Sequence, residues 1–273
     1  MILKYMRNLL DYLKKAEERK IAIGHFNISE LVGLKAIFEA ARELSVPILI
    51  GVSEGEREFM GTHAAAALVR SLREEFGYPI FLNADHTHSL ERALVAAKAG
   101  YDAVLFDGSK FAWEENVKRT REVVVALKKV NPDILVEGEI GYIGSSSAIL
   151  KELPKGAAVS PQDLTTPEQA TEFVKKTGVD LLAPAVGNIH GMFADVPNPR
   201  LDIKRIAEIH KAVKTPLVLH GGSGTSDDDF VSAISSGVSI IHINTEIRAA
   251  WRRGIEEGLK KNPEEIAPYK ILP

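Results

Sequence analysis

The sequence predicts an α/β protein folded as a single (β/α)8 TIM barrel with an extra N-terminal helix, and three observations predict it. Eight short apolar runs alternate with stretches of helical periodicity along almost the whole chain. Most runs are apolar at successive positions, as expected when helices cover one face of a strand and a packed barrel interior the other. Acidic, imidazole or small polar residues stand at the C-terminal end of nearly every run, the rim where such barrels carry their sites. A doubly wound open sheet would also alternate strands and helices, but eight units with polar strand ends favour closure. A length of 273 residues suits one such barrel. No linker or low-complexity tract divides it, so residues 1–273 read as one domain.

In chain order, residues 1–19 read as an amphipathic helix, with Leu3, Met6, Leu9, Leu10 and Leu13 set against Lys4, Asp11, Lys14 and Glu17. Strands are expected at 21–27, 46–52, 79–86, 103–109, 133–140, 181–186, 216–222 and 239–246. Helices are expected over 30–44, 62–75, from Leu90 to Gly100, over 113–129, from Pro167, over 202–213, from Asp227, and from Ile247 to about 259. Gly100 has the place of a left-handed helix cap, and Pro167 after Thr166 that of a first-turn proline. The Gly/Ser-rich stretch 141–164 is expected to be a mobile lid loop.

Hydrophobic residues make up 45% of the chain, enough for a sizeable core. The net charge of −3 gives no ground for nucleic-acid binding, so an anionic substrate would have to be met by local donors. The absence of cysteine excludes disulfides, a thiolate metal site and a catalytic thiol. With no signal-type apolar segment and no apolar run of membrane-spanning length, a cytoplasmic protein without a membrane partner is the expectation.

The third strand runs through Phe81 and Leu82 into Asp85 and His86; the sixth leads to His190 and the seventh to His220. Taken singly, each imidazole reads as a hydrogen-bonded rim histidine. Three on one rim point to a metal site, and neutral imidazoles with an open fourth position suit Zn²⁺. Asp107 and Glu139 end the fourth and fifth strands, where they either bind a further metal position, orient a ligand or cap turns. Gly221, Gly222, Ser223 and Gly224 form a glycine-rich turn whose N–H groups suit an anion. Thr245 opens the last helix, where the helix dipole favours negative charge. Loops after strands seven and eight are the usual phosphate position of these barrels.

Asp85-His86, Val136-Glu137-Gly138-Glu139, Gly187-Asn188-Ile189-His190-Gly191, His220-Gly221-Gly222-Ser223-Gly224 and Asn244-Thr245-Glu246 together resemble the class II, zinc-dependent ketose-bisphosphate aldolases, in order from about Gly24 to Arg248. The resemblance implies that His86, His190 and His220 hold the zinc, or another divalent metal, with a monovalent cation as a further expected ion. The metal would serve as a Lewis acid on the ketone of the substrate. Asp85 would be the acid–base group at the hydroxyl beyond the scissile bond, or else only orient His86. Asp107 and Glu139 match additional metal-binding acids, Ser53 a serine meeting the aldehyde half, and Gly191 part of the phosphate site. Arg248 matches an arginine that reaches the far phosphate. His242 and Asn244 fall at substrate-contacting positions. The substrate would be fructose 1,6-bisphosphate, with the tagatose epimer or another phosphorylated ketose as runner-up. The protein would be a dimer or tetramer of identical chains.

Three departures from that pattern stand out. Ala194 occupies the place of a phosphate-binding lysine, for which Lys204 or a neighbouring subunit would have to substitute. His242 stands where asparagine is usual, and either bonds the same substrate oxygen, which is favoured, or adds a fourth imidazole on the metal side, or only packs. The lid carries Ser145, Ser146 and Ser147 with no acid before Glu152, which leaves the proton-abstracting base unassigned. Two other functions fit a barrel with such a rim less well. A zinc hydrolase on the same barrel would want a His-x-His pair on strand one, which Gly24-His25-Phe26-Asn27 lacks. A non-catalytic phospho-sugar sensor would not need Asp85.

Overall fold

The computed structural model describes residues 8–272. Eight strands close a parallel barrel: β1 (Ile23–Asn27), β2 (Ile48–Val52), β3 (Ile80–Thr87), β4 (Ala103–Phe106), β5 (Leu135–Ile140), β6 (Leu181–Pro184), β7 (Leu217–Leu219) and β8 (Val238–Ile243). Each strand neighbours the next in sequence, and β8 returns to pair with β1. The helices are α1 (Leu9–Arg19), α2 (Leu31–Leu44), α3 (Glu54–Met60), α4 (Thr62–Phe76), α5 (Leu90–Ala99), α6 (Trp113–Val130), α7 (Pro167–Thr177), α8 (Ile203–Val213), α9 (Asp227–Ser235), α10 (Thr245–Lys261) and α11 (Pro268–Ile271). Two further two-residue strands, Ile149–Leu150 and Met192–Phe193, pair in parallel and tie the loop after β5 to the loop after β6.

Local chemistry explains the boundaries. Asn8 caps α1 through its side chain, and Lys20 ends it in the left-handed region. Thr166 and Gln169 form a reciprocal capping box around Pro167 at the start of α7. Gly100 terminates α5 at φ 93° while its N–H bonds the last carbonyls. The predicted helix positions Leu3, Lys4 and Met6 lie outside the described residues.

Hydrophobic material packs in two places. Between strands and helices lies a large core that includes Phe38, Val69, Tyr101, Leu127, Phe173 and Ile209. The second core fills the N-terminal end of the barrel. There Leu9, Tyr12, Leu13 and Ala16 of α1 meet Ile23, Leu49, Phe81, Leu135, Leu181, Val218 and Ile240 from the strands. Tyr12 and Phe81 pack edge-on with ring centroids 5.3 Å apart. The i, i+3, i+4, i+7 spacing of the α1 residues makes this face, and each fully buried side chain contributes about 1.5–3 kcal/mol. α1 is thus a plug.

Several strands are shorter than the sequence suggests. β4 stops at Phe106, β6 at Pro184, β7 at Leu219 and β8 at Ile243. Ala185 and Val186 continue the apolar run and are buried, yet the backbone has already turned. Asp107, Asn188, His190, His220, Asn244 and Thr245 therefore stand just past the strand ends rather than on them. The sequence reading also has no counterpart to α3.

Candidate active site and metal centre

Inward-facing positions along the strands change character from one end of the barrel to the other. β1 runs Ile23, His25, Asn27; β3 runs Phe81, Asn83, Asp85; β5 runs Leu135, Glu137, Glu139; Val218 is followed by His220 and Ile240 by His242. The first residue of each series belongs to the apolar plug, and the later ones are buried polar groups. This is the two-residue period of a strand: one step up the strand changes the layer.

Asp85 and His86 are consecutive, and in a regular strand they would face opposite ways. The register between β3 and β4 slips between Ala84 and Thr87, where three residues on β3 match two on β4. His86 sits in this bulge with φ 37°, a strained left-handed conformation for a non-glycine residue. The bulge turns the imidazole towards the site beside the carboxylate. Arg57 of α3 braces the spot. Its buried guanidinium donates to the carbonyls of Val52 and Asp85 (3.0 Å for the latter) and to Thr87 Oγ1 (2.9 Å).

His86, His190, His220 and Glu139 each place a ligand atom within 4.8 Å of the others. His190 Nε2, His220 Nδ1 and Glu139 Oε2 are buried without a hydrogen-bond partner. Leaving such atoms unpaired is costly unless something else meets them. A nitrogen- and oxygen-donating set of this kind fits a divalent cation such as Zn²⁺. Partners outside the set hold its members. His220 donates through Nε2 to Glu137 Oε1 at 2.8 Å, which leaves Nδ1 for the centre. His86 donates through Nδ1 to Asp107 Oδ2 at 3.0 Å, and Asp107 Oδ1 accepts from the N–H and hydroxyl of Ser109. Asp107, matched above to an additional metal-binding acid and equally open to orienting a ligand or capping a turn, lies outside the four-residue group and bonds the His86 imidazole. Asn188 donates to the carbonyl of His220 at 2.9 Å.

The charges are tightly coupled. Burial would lower His86, but Asp85, Asp107 and Glu139 outweigh it and hold the imidazole up to about 10. Burial and the neighbouring Asp107 push Glu139 up to about 8. Burial, with His86 and His220 close by, holds His190 well below its ordinary value. Burial works against ionisation of Asp85 as well, yet His86, His242 and His25 hold it well below the usual carboxylate range.

His242 lies within the site, with Nδ1 3.5 Å from Asp85 Oδ1. Its ring stacks on His25 at 3.4 Å and 4° because the two are register partners on adjacent strands. Asn83 sits 3.2 Å from His25 Nε2. Gly51 leaves the space His25 needs, since a Cβ there would lie 2.1 Å from the ring. His25, Asn83, Glu137, Asn27 and Glu56 were not predicted as site residues. For His25, Asn83 and Glu137 the available signal was the strand period, which puts the residue two before each rim residue in the same column; Glu56 lies on α3, where that period does not apply.

On the other side, Gly191, Gly221, Ser223, Asn244 and Thr245 line the same cavity as Asp85, His86, His190, His220 and His242. Gly221 at φ 62° permits the turn to pass 2.0 Å, measured from a hypothetical Cβ, from the carbonyl of Ile189. Not all of the expected donors are free. The N–H of Gly222 goes to the carbonyl of His242 and that of Gly224 to Glu246 Oε1. Gly222 thus ties the turn to the end of β8 and does not line the cavity. Ser223 Oγ accepts from the N–H groups of Asn244 and Glu246, which locks the turn to the start of α10.

Ser53 and Arg248 are not in the cavity wall. Ser53 is the residue before α3, with its N–H on Glu56 Oε2. Arg248 donates to Glu56 Oε1 at 2.7 Å and to the carbonyl of Ser147 at 3.3 Å. The loop contributes Ser147 to the cavity wall, and Asn244 donates to its hydroxyl. Glu152 is exposed on that loop and lines nothing. Lys204 is 86% exposed and faces Glu208 on its own helix, so it does not replace the lysine absent at Ala194. Free space in the cavity is about 20 Å³. That admits about one water molecule. A larger groove of about 490 Å³ between α2 and α10 contains no titratable side chain.

The family model for class II fructose-bisphosphate aldolases matches residues 7–273. The chain belongs to that family. Fructose-bisphosphate aldolase of Geobacillus stearothermophilus is 35% identical over 268 residues, covering 97% of this chain and 90% of the relative. The same enzyme of Thermus caldophilus is 34% identical over 286 residues, covering 96% and 90%. Among solved structures, the YdjI aldolase of Escherichia coli K12 superposes with a TM-score of 0.77 at 29% identity, covering 97% of this chain and 90% of that one. As a class II aldolase the chain is a metal-dependent lyase, and the four-residue group above is its candidate metal centre.

Proposed function

We propose that the chain catalyses the reversible aldol cleavage of fructose 1,6-bisphosphate to dihydroxyacetone phosphate and glyceraldehyde 3-phosphate, with zinc held by His86, His190 and His220 and met by Glu139. The observation that carries the reading is the convergence of unpartnered, buried His190 Nε2, His220 Nδ1 and Glu139 Oε2 beside His86, with an ionised Asp85 in the same cavity. The bound cation supplies Lewis acidity towards the ketone and neighbouring hydroxyl oxygens.

The chain's own groups do the rest. Gly191, Gly221, Ser223 and Thr245 receive the phosphate next to the ketone, with the start of α10 adding its dipole. Asp85 takes the proton of the C4 hydroxyl as the C3–C4 bond breaks and returns it in the synthetic direction. Asn27, donating to Asp85 Oδ2 at 2.9 Å, fixes the carboxylate for that exchange. His242, buried between His25 and His220 and next to Asp85, presents Nε2 to the substrate oxygens. Ser147 and its loop exclude water once the substrate is bound.

Triose phosphate release from fructose 1,6-bisphosphate tests the reading. Activity should vanish on chelation and return with added Zn²⁺. Zinc bound at one equivalent without triose phosphate release from this or the tagatose bisphosphate would refute it.

A further inference from the structure

Glu56 has no part in the aldol step, yet its carboxylate accepts three hydrogen bonds at the edge of the cavity. Its side chain is 7% exposed. Oε2 accepts from Asn27 Nδ2 at 2.9 Å and from the N–H of Ser53 at 2.7 Å; Oε1 accepts from Arg248 at 2.7 Å. Asn27 also donates to Asp85, and Arg248 also donates to Ser147, so the contacts run Asp85–Asn27–Glu56–Arg248–Ser147. Asp85, Asn27 and Ser147 belong to the cavity wall. The chain of contacts is therefore the border of the site next to Asp85.

With Asp85 acting at the C4 hydroxyl, as proposed above, the carbons beyond C4 point to this border. Among the described residues no lysine or arginine lines the cavity, and Arg248 is the cation that reaches its edge. Its charge is already matched by Glu56. A second phosphate placed here would bring two negative charges to a cation that is spoken for, beside the carboxylates of Glu56 and Asp85. A hydroxylated, uncharged end would meet carboxylate and carbonyl acceptors and guanidinium donors with no charge to compensate.

We propose that Glu56 is a specificity-determining residue that opens the site to ketose 1-phosphates with an uncharged polyol end, alongside the 1,6-bisphosphate. This rests on the aldol reading and names a further substrate class for it. The chemistry is unchanged. The C3–C4 bond breaks, the C4 hydroxyl becomes the carbonyl of an unphosphorylated aldehyde, C3 takes up a proton, and nothing is oxidised or reduced.

The test compares kcat/KM of the zinc-loaded protein for fructose 1,6-bisphosphate and fructose 1-phosphate. Wild type should cleave both, with values within about tenfold of each other, a difference equivalent to about 1.4 kcal/mol. Glu56→Gln keeps the shape and an acceptor oxygen but removes the charge. It should raise the bisphosphate-to-monophosphate ratio by about tenfold or more, mainly through KM for the bisphosphate. Arg248→Gln removes the cation instead and should lower the same ratio. Thermal unfolding of each variant identifies any that fails to fold, and the opposite-signed partner then carries the test. A wild-type preference for the bisphosphate above about a hundredfold, or ratios that stay within about threefold of wild type in both variants, would overturn the proposal. Triose phosphate from neither substrate would overturn the aldol reading, and the specificity proposal with it.

Discussion

The two ends of the barrel interior are built on the same strands, with opposite intent. At the N-terminal end α1 and the first inward residues make a buried apolar plug. Two and four residues further along β1, β3 and β5 the interior holds His25, Asn27, Asn83, Asp85, Glu137 and Glu139, with His220 and His242 beside them, all buried. Polar groups so deeply buried cost stability unless hydrogen-bonded, and several here keep an unpartnered atom. The lower layer holds the barrel closed; the upper layer spends stability on a reactive centre. Stability and chemistry are separated by less than the length of one strand.

Mutation at the two ends should therefore fail in different ways. The largest effect is expected at Asp85. Asp85→Asn should lower kcat by about 10²–10⁴ while zinc content, measured by metal analysis, stays at wild-type level. Loss of zinc along with activity would mean that Asp85 serves the metal rather than the proton. At the plug, Leu13 is fully buried. Leu13→Ala should cost about 2–5 kcal/mol in denaturant unfolding and leave kcat at 25 °C unchanged; a matching drop in kcat would show the two layers to be coupled.

Glu137 supports the upper layer from behind His220. Because it holds only the far nitrogen of His220, Glu137→Gln should weaken zinc binding about 10–100-fold in a chelator competition. Unaltered affinity would make Glu137 a purely structural partner. The smallest effect is expected outside the barrel interior. Thr166→Ala, which removes half of a capping box, should lower stability by about 1 kcal/mol with no change in metal binding or turnover.

The same comparison explains what could be read from the sequence. The eight strands were legible because each is a largely apolar run, and the rim residues because polar groups end those runs. His25, Asn83 and Glu137 were hidden one step lower, since a single polar residue inside an apolar run reads as noise until the two-residue period is applied around the whole barrel. α3 was hidden for the reverse reason. Its buried residues are Glu56 and Arg57, so the usual apolar helical period is absent. The strand ends were overextended because Ala185 and Val186 stay buried after the backbone has left the ladder. The role of Asp107 turned on geometry: only the 3.0 Å bond to His86 shows that it stands behind the imidazole.

The α1 plug makes the barrel a blind well. With its floor sealed by Leu9, Tyr12, Leu13 and Ala16, both products of a cleavage must leave through the one mouth by which the sugar entered, past the loop bearing Ser147. Entry and exit therefore share one route.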